Sequence, residues 1–111
     1  MTPTVLILLA ASLGVLLLGT YLWRITSNRS IFMNTMFGTI CMMLAAYHAA
    51  THHAVEWAIM LPFFTTMLFG GRAAGTWWRS RKDSELRLPA QLMAAVAAVA
   101  LTATVTAYAT L

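Results

Sequence analysis

The chain has 111 residues, of which 60% are hydrophobic and only 9% are charged, and its formal net charge is +4. Soluble domains carry about 25% charged residues, so this composition excludes an ordinary water-soluble domain and indicates a protein that faces lipid. The seven basic residues lie between long apolar runs rather than on one soluble face, which also excludes nucleic-acid binding.

The first two apolar runs are each long enough to cross a bilayer. Residues 4–23 contain no charged side chain, and residues 31–50 form a second run of similar length. About 20 helical residues span a hydrocarbon core of about 30 Å. A short polar link that carries Arg24 and Arg29 separates them. We therefore predict two membrane-spanning helices joined by a basic connection.

The third run, residues 55–71, is shorter and includes Pro62. About 17 residues is the lower limit for a span, and a proline inside it predicts a kink. Gly71 and Gly75 have the GxxxG spacing that permits close helix approach. The sequence predicts a third span here, followed by a basic cytoplasmic loop over about residues 72–87. It leaves open whether Arg72 ends the span or snorkels from within a longer one.

The fourth run, residues 88–110, consists mainly of Ala, Val, Thr and Leu. Small residues recur in it at every fourth position: Ala90, Ala94, Ala98, Thr102, Thr106 and Thr110. Such a stripe lets another helix pack closely. We expect that helix to be another span of this chain, and the alternative is a second subunit.

Together these runs predict a single all-α domain, a polytopic membrane protein with four transmembrane helices. All seven basic residues lie in the first and third connections: Arg24, Arg29, Arg72, Arg79, Arg81, Lys82 and Arg87. In a four-span chain these two connections share one side of the membrane, and the positive-inside rule makes that side cytoplasmic. Both termini are then extracytoplasmic, in a cell inner or plasma membrane.

The connection between the second and third runs holds the most reactive side chains, His48, His52, His53 and Glu56. If they converge at this turn, their nitrogens and oxygens suit copper or zinc. The preceding run adds the soft ligands that Cu(I) prefers: Met33, Met36, Cys41, Met42 and Met43. The alternatives are polar residues at the headgroup level and a proton-linked role, since histidine titrates near neutral pH.

The sequence contains no nucleotide-binding loop, no Ser/His/Asp set and no carboxylate pair within an apolar run. We therefore expect no enzyme. We predict that the protein acts as a small non-catalytic subunit or accessory protein of a larger membrane complex. Its partners are then the lipid bilayer and either other membrane subunits or further copies of itself. The alternatives are an extracytoplasmic copper- or zinc-handling protein and a small oligomeric channel or transporter.

Overall fold

The computed structural model describes residues 2–111, which form an elongated helical bundle of 47 × 22 × 18 Å. Its long helices are α1 (Pro3–Thr26), α2 (Arg29–Thr51), α3 (Glu56–Ser80) and α4 (Arg87–Thr110). A short 3₁₀-helix, Ser84–Leu86, precedes α4, and residues 2–111 include no β-strand. The prediction of an all-α fold with four long helices is confirmed.

Three helical segments are long and apolar enough to cross a membrane: Pro3–Thr26, Arg29–Thr51 and Ser84–Thr110. This confirms the expectation of a membrane protein. Helix α3 has 25 residues and is not one of these segments. Its length is sufficient, but Arg72, Pro62 and its glycines and tryptophans lower its hydropathy.

The structure corrects the predicted boundary between the third helix and the basic loop. Helix α3 does not end at residue 71 but continues through Ser80. The predicted loop over residues 72–87 is therefore mostly helical. The physical reason is that Gly71 and Gly75 lower helix propensity only moderately, while no proline occurs between residue 71 and Pro89 to stop the helix.

The first connection is a tight turn that makes α1 and α2 neighbours. Ser27 ends α1 in the left-handed region, with φ 53°, and its backbone N–H donates to the Trp23 carbonyl at 2.7 Å. Asn28 then caps α2, because its side-chain oxygen accepts from the Ser30 N–H at 2.9 Å. A left-handed residue followed by a capping asparagine reverses the chain with few residues.

The ends of the bundle are well defined. The hydroxyls of Thr4 in α1 and Thr110 in α4 are hydrogen-bonded to each other, so the start of the first helix meets the end of the last. At the opposite end, Thr26 and Leu86 line a common cavity. Both basic connections therefore lie at the same end of the bundle, which we call the basic end.

The closest helix approaches occur at two glycines that the sequence did not single out. A Cβ atom added to Gly19 would lie 2.8 Å from the Thr35 Cβ, which is too close for any real contact. At Gly38, an added Cβ would lie 3.0 Å from the Thr65 Cγ2. Small residues at such positions let membrane helices pack backbone to backbone. Gly19 sets the α1–α2 contact and Gly38 the α2–α3 contact.

Most of the predicted small-residue stripe on α4 lies outside the face that packs within residues 2–111. Ala94, Ala98 and Thr102 are exposed. The face that α4 buries comprises Pro89, Ala90, Met93, Val96, Ala100, Ala103, Thr104 and Ala107, so Ala90 belongs both to the stripe and to this face. The expectation that these three stripe residues pack on another span of this chain is wrong. Thr106, also in the stripe, is half-buried.

The predicted GxxxG pair on α3 is likewise uncovered. Gly71 and Gly75 are exposed, and a Cβ added to either would meet no atom within 4 Å. The packing of residues 2–111 therefore gives no reason for glycine at these positions.

We predict that Gly19→Ala destabilises the bundle by about 1–3 kcal/mol, because the new methyl group overpacks against Thr35. Gly14→Ala is the matched control on the same helix. There the added Cβ would lie 3.5 Å from the Val99 Cγ1, an ordinary contact. Thermal unfolding in detergent, followed by circular dichroism, compares the two variants. Equal melting temperatures would contradict the close approach of α1 and α2 at Gly19.

Candidate functional site

The histidine turn, residues 48–56, joins α2 to α3. His48 lies in the last turn of α2, His52 caps its end, and Glu56 is the first residue of α3. His52 and Ala54 adopt left-handed backbone conformations, with φ 53° and 50°. The left-handed conformation raises the conformational energy of a non-glycine residue, so two such residues in one short turn store local strain.

A side-chain hydrogen bond closes this turn. The His48 Nδ1 lies 2.8 Å from the His53 carbonyl oxygen. Because a carbonyl oxygen only accepts, Nδ1 carries the hydrogen and only Nε2 is left to accept or to bind a metal. The ring of Tyr47 meets the His48 ring edge-on, with the ring centroids 5.5 Å apart. The position of His48 is therefore explained by turn geometry alone.

The structure does not assemble the predicted copper or zinc ligands. Among residues 2–111, no group of three or more His, Cys, Asp or Glu side chains is arranged to hold a metal ion. His52, His53 and Glu56 are all exposed. The metal site at His48, His52, His53 and Glu56 therefore stays a prediction from the sequence.

The soft ligands proposed on α2 are also divided between different faces. Cys41 and Met42 are buried, whereas Met33, Met36 and Met43 are exposed. Side chains on opposite sides of a helix do not form one continuous path. The methionines of α2 thus give no support to a copper route through the bundle.

A second polar cluster, which the sequence did not predict, lies near the basic end. Arg72 is half-buried in α3, and its Nη2 donates to the Ser30 hydroxyl of α2. When the Asn34 amide is oriented with its oxygen toward the guanidinium, Nη2 also donates to it at 3.2 Å, and Nε donates as well. We call Arg72, Ser30 and Asn34 the arginine cluster.

The arginine cluster joins α3 to the first turns of α2. Ser30 and Asn34 are spaced i, i+4 and so share one face of that helix. The sequence shows Ser30 and Asn34 near the start of the second apolar run and Arg72 just after the third. The sequence did not predict that Arg72 would bond to Ser30 and Asn34, because this contact requires α3 to continue as a helix past residue 71.

A cavity of about 230 Å³ lies beside this cluster and is formed by the ends of all four helices. We call it the basic-end cavity. Its lining residues are Thr26, Asn28, Ile31, Arg72, Thr76, Arg79, Leu86, Pro89 and Met93. Two guanidinium groups are among them, and none of them is acidic. The lining also lacks histidine and cysteine, so it offers positive charge and hydrogen-bond donors rather than an acid–base pair or a nucleophile.

No protein-family model, no curated protein and no solved structure matches this chain. Similarity therefore transfers neither an activity nor a ligand, and function has to be argued from these sites.

A metal site at the histidine turn predicts bound copper or zinc in the purified protein. Replacing two of its ligands, in the variant His52→Ala/His53→Ala, would then remove that metal. Elemental analysis of wild type and variant, after equal exposure to each ion, measures it. Negligible metal in both proteins would exclude the site.

The strain at Ala54 gives a separate prediction. Ala54→Gly removes the Cβ that disfavours the left-handed conformation, so we expect it to stabilise the protein by about 0.5–1 kcal/mol. Ala50→Gly, in the last turn of α2, is the control and should lower stability rather than raise it, because its backbone is helical and glycine disfavours a helix. Thermal melts in detergent compare them. A loss of stability in Ala54→Gly would show that the turn is not strained there.

Proposed function

We propose that this protein is a four-span integral membrane protein that acts as a small non-catalytic subunit of a larger membrane complex. In this proposal the basic end faces the cytoplasm and both termini lie on the other side. The seven basic residues lie in the two connections at the basic end or in the helix ends beside them, which supports this orientation through the positive-inside rule.

The role of α3 as the remaining span is supported by its length and its neighbours. Its 25 residues correspond to about 37 Å of helix, enough to cross the hydrocarbon core. It packs extensively on α4 and also on α2, both of which are apolar enough to span a membrane. A helix that runs beside two spans for this length crosses the same layer that they cross.

The observation that carries the proposed subunit role is the uncovered glycine face of α3. Glycine costs about 1 kcal/mol relative to alanine inside a helix, and Gly71 and Gly75 gain no contact within the chain that offsets this cost. In membranes, small residues on an outer face allow a helix of another subunit to approach closely. We propose that this face binds a transmembrane helix of a partner.

Helices α1 and α4 supply a second uncovered surface of the same kind. A groove of about 310 Å³ between them is lined mainly by small or apolar residues: Ile7, Ala10, Ala11, Gly14, Val99, Thr102 and Ala103. Thr102 also belongs to the exposed stripe with Ala94 and Ala98. These residues support assembly with a second subunit, the alternative that the sequence left open for the stripe.

The chemistry of the described residues is in keeping with a non-catalytic role. The basic-end cavity offers charge and donors without an acid–base pair. In the histidine turn, the half-buried His48 is engaged in a hydrogen bond to a backbone carbonyl. No observation favours a channel or transporter or a metal-handling protein over a subunit, so these two remain alternatives from the sequence.

The glycine face gives a direct test by co-purification in a mild detergent. Gly71→Leu/Gly75→Leu blocks close approach, and we expect it to reduce recovery of the associated partner roughly tenfold, which corresponds to about 1.4 kcal/mol. Thr20→Leu, on the exposed face of α1, places a leucine away from the α3 glycines and should leave recovery unchanged.

Two results would contradict the proposed function. One is a wild-type protein that purifies as a stable monomer with no co-purifying membrane protein. The other is equal recovery of the partner with the leucine double variant. A partner that proves to be a second copy of this chain would replace the heteromeric complex by self-association.

A further inference from the structure

We propose that the basic-end cavity binds the phosphate group of an anion, held by Arg72 and Arg79. This site is independent of the proposed subunit role, because it belongs to a single chain. The phosphate group is the chemistry that is recognised, and it can come from a lipid headgroup or from soluble phosphate.

The positive charge of Arg72 has no counter-charge among its hydrogen-bond partners. The guanidinium is half-buried, and its hydrogen-bond partners, Ser30 and Asn34, are both neutral. Neutral partners satisfy N–H groups but leave the positive charge without a counter-charge. A buried charge is costly unless it is paired. An anion in the adjoining cavity would supply the missing charge.

The basic-end cavity is lined by hydrogen-bond donors that suit phosphate oxygens. Guanidinium groups bind phosphate oxygens through planar, bidentate hydrogen bonds, and two of them are present here. Thr76 adds a hydroxyl whose only partner is the weakly accepting sulfur of Met93, at 3.5 Å. Asn28 adds an amide nitrogen, because its side-chain oxygen is used by the Ser30 N–H.

No carboxylate of the cavity lining competes with an anion for the two guanidinium groups. The two acids of the basic connection are Asp83 and Glu85, and neither lines the cavity. The Asp83 carboxylate instead accepts the Glu85 backbone N–H at 3.1 Å, where it caps the 3₁₀-helix. The described cavity therefore has a positive lining that no acid of its own neutralises.

The shape of the cavity and its surroundings fit a small phosphate-bearing group. Its volume of about 230 Å³ exceeds the roughly 30 Å³ that one water molecule occupies in the liquid, so it has room for a phosphate with adjoining carbons. Ile31, Leu86 and Met93 give it an apolar wall. Trp77 and Trp78 are exposed on the last turns of α3, as expected at a membrane–water boundary.

The test is a binding titration of the purified full chain in a neutral detergent, after delipidation, followed by native mass spectrometry. The probes are phosphatidylglycerol, inorganic phosphate and an uncharged diacylglycerol. We expect saturable binding of at least one phosphate probe and none of diacylglycerol. Binding of phosphatidylglycerol alone assigns the site to lipid, and equal binding of inorganic phosphate assigns it to the soluble anion.

Arg79→Gln is the decisive variant, because Arg79 lines the cavity and is exposed rather than part of the buried core. We expect it to weaken binding at least about fivefold, as for the loss of one basic contact near the membrane surface. Arg72→Lys retains the charge but loses the planar fork, and should weaken binding as well. The control Lys82→Gln removes a positive charge from the same connection outside the cavity and should change affinity less than twofold.

Three outcomes would overturn the proposal. The first is no binding of either phosphate probe to the wild type. The second is unchanged affinity in Arg79→Gln. The third is an equal loss in Lys82→Gln, which would show attraction to the basic connection as a whole rather than a site. Melting temperatures of all variants establish that each one is folded when it is measured.

Discussion

A chain with this much apolar outer surface has to satisfy its polar groups from within, and the structure depends on that constraint. No buried side-chain nitrogen or oxygen among residues 2–111 lacks a hydrogen-bond partner. Helices satisfy their own backbone groups, and buried threonines donate back to their own helix, as Thr35 does to the Ile31 carbonyl and Thr39 to the Thr35 carbonyl, both at 2.8 Å. The half-buried Arg72 side chain instead depends on a second helix, because its guanidinium donates to Ser30 and Asn34 of α2.

This constraint also explains how the molecule divides its inner and outer faces. Since lipid is as apolar as the side chains, close packing and small residues, rather than exclusion of water, hold such helices together. Gly19 and Gly38 provide that packing inside the bundle. Gly71 and Gly75 of α3 are equally small but lie on an outer face, which is the basis for the proposal that they pack against a partner. At the basic end, segments of all four helices pack around the charged side chain of Arg72.

The sequence predicted the helices and the composition of the basic end, because both follow from apolar run length and charge position. It placed the end of α3 too early, since an arginine after an apolar run reads as a boundary whether or not the helix continues. The arginine cluster and the Gly19 contact could not be predicted, because each depends on how two helices align. The histidines were correctly placed at a turn, but their spacing did not show that His48 would bond to the His53 carbonyl.

The central claim is that α3 crosses the membrane and places the basic end in the cytoplasm. Single cysteines at His53 and Ser84, each in a Cys41→Ala background, test it by labelling intact cells with an impermeant thiol reagent. The account predicts that His53→Cys is labelled from outside and that Ser84→Cys is labelled only after the membrane is permeabilised. Labelling of both positions from the same side would contradict it.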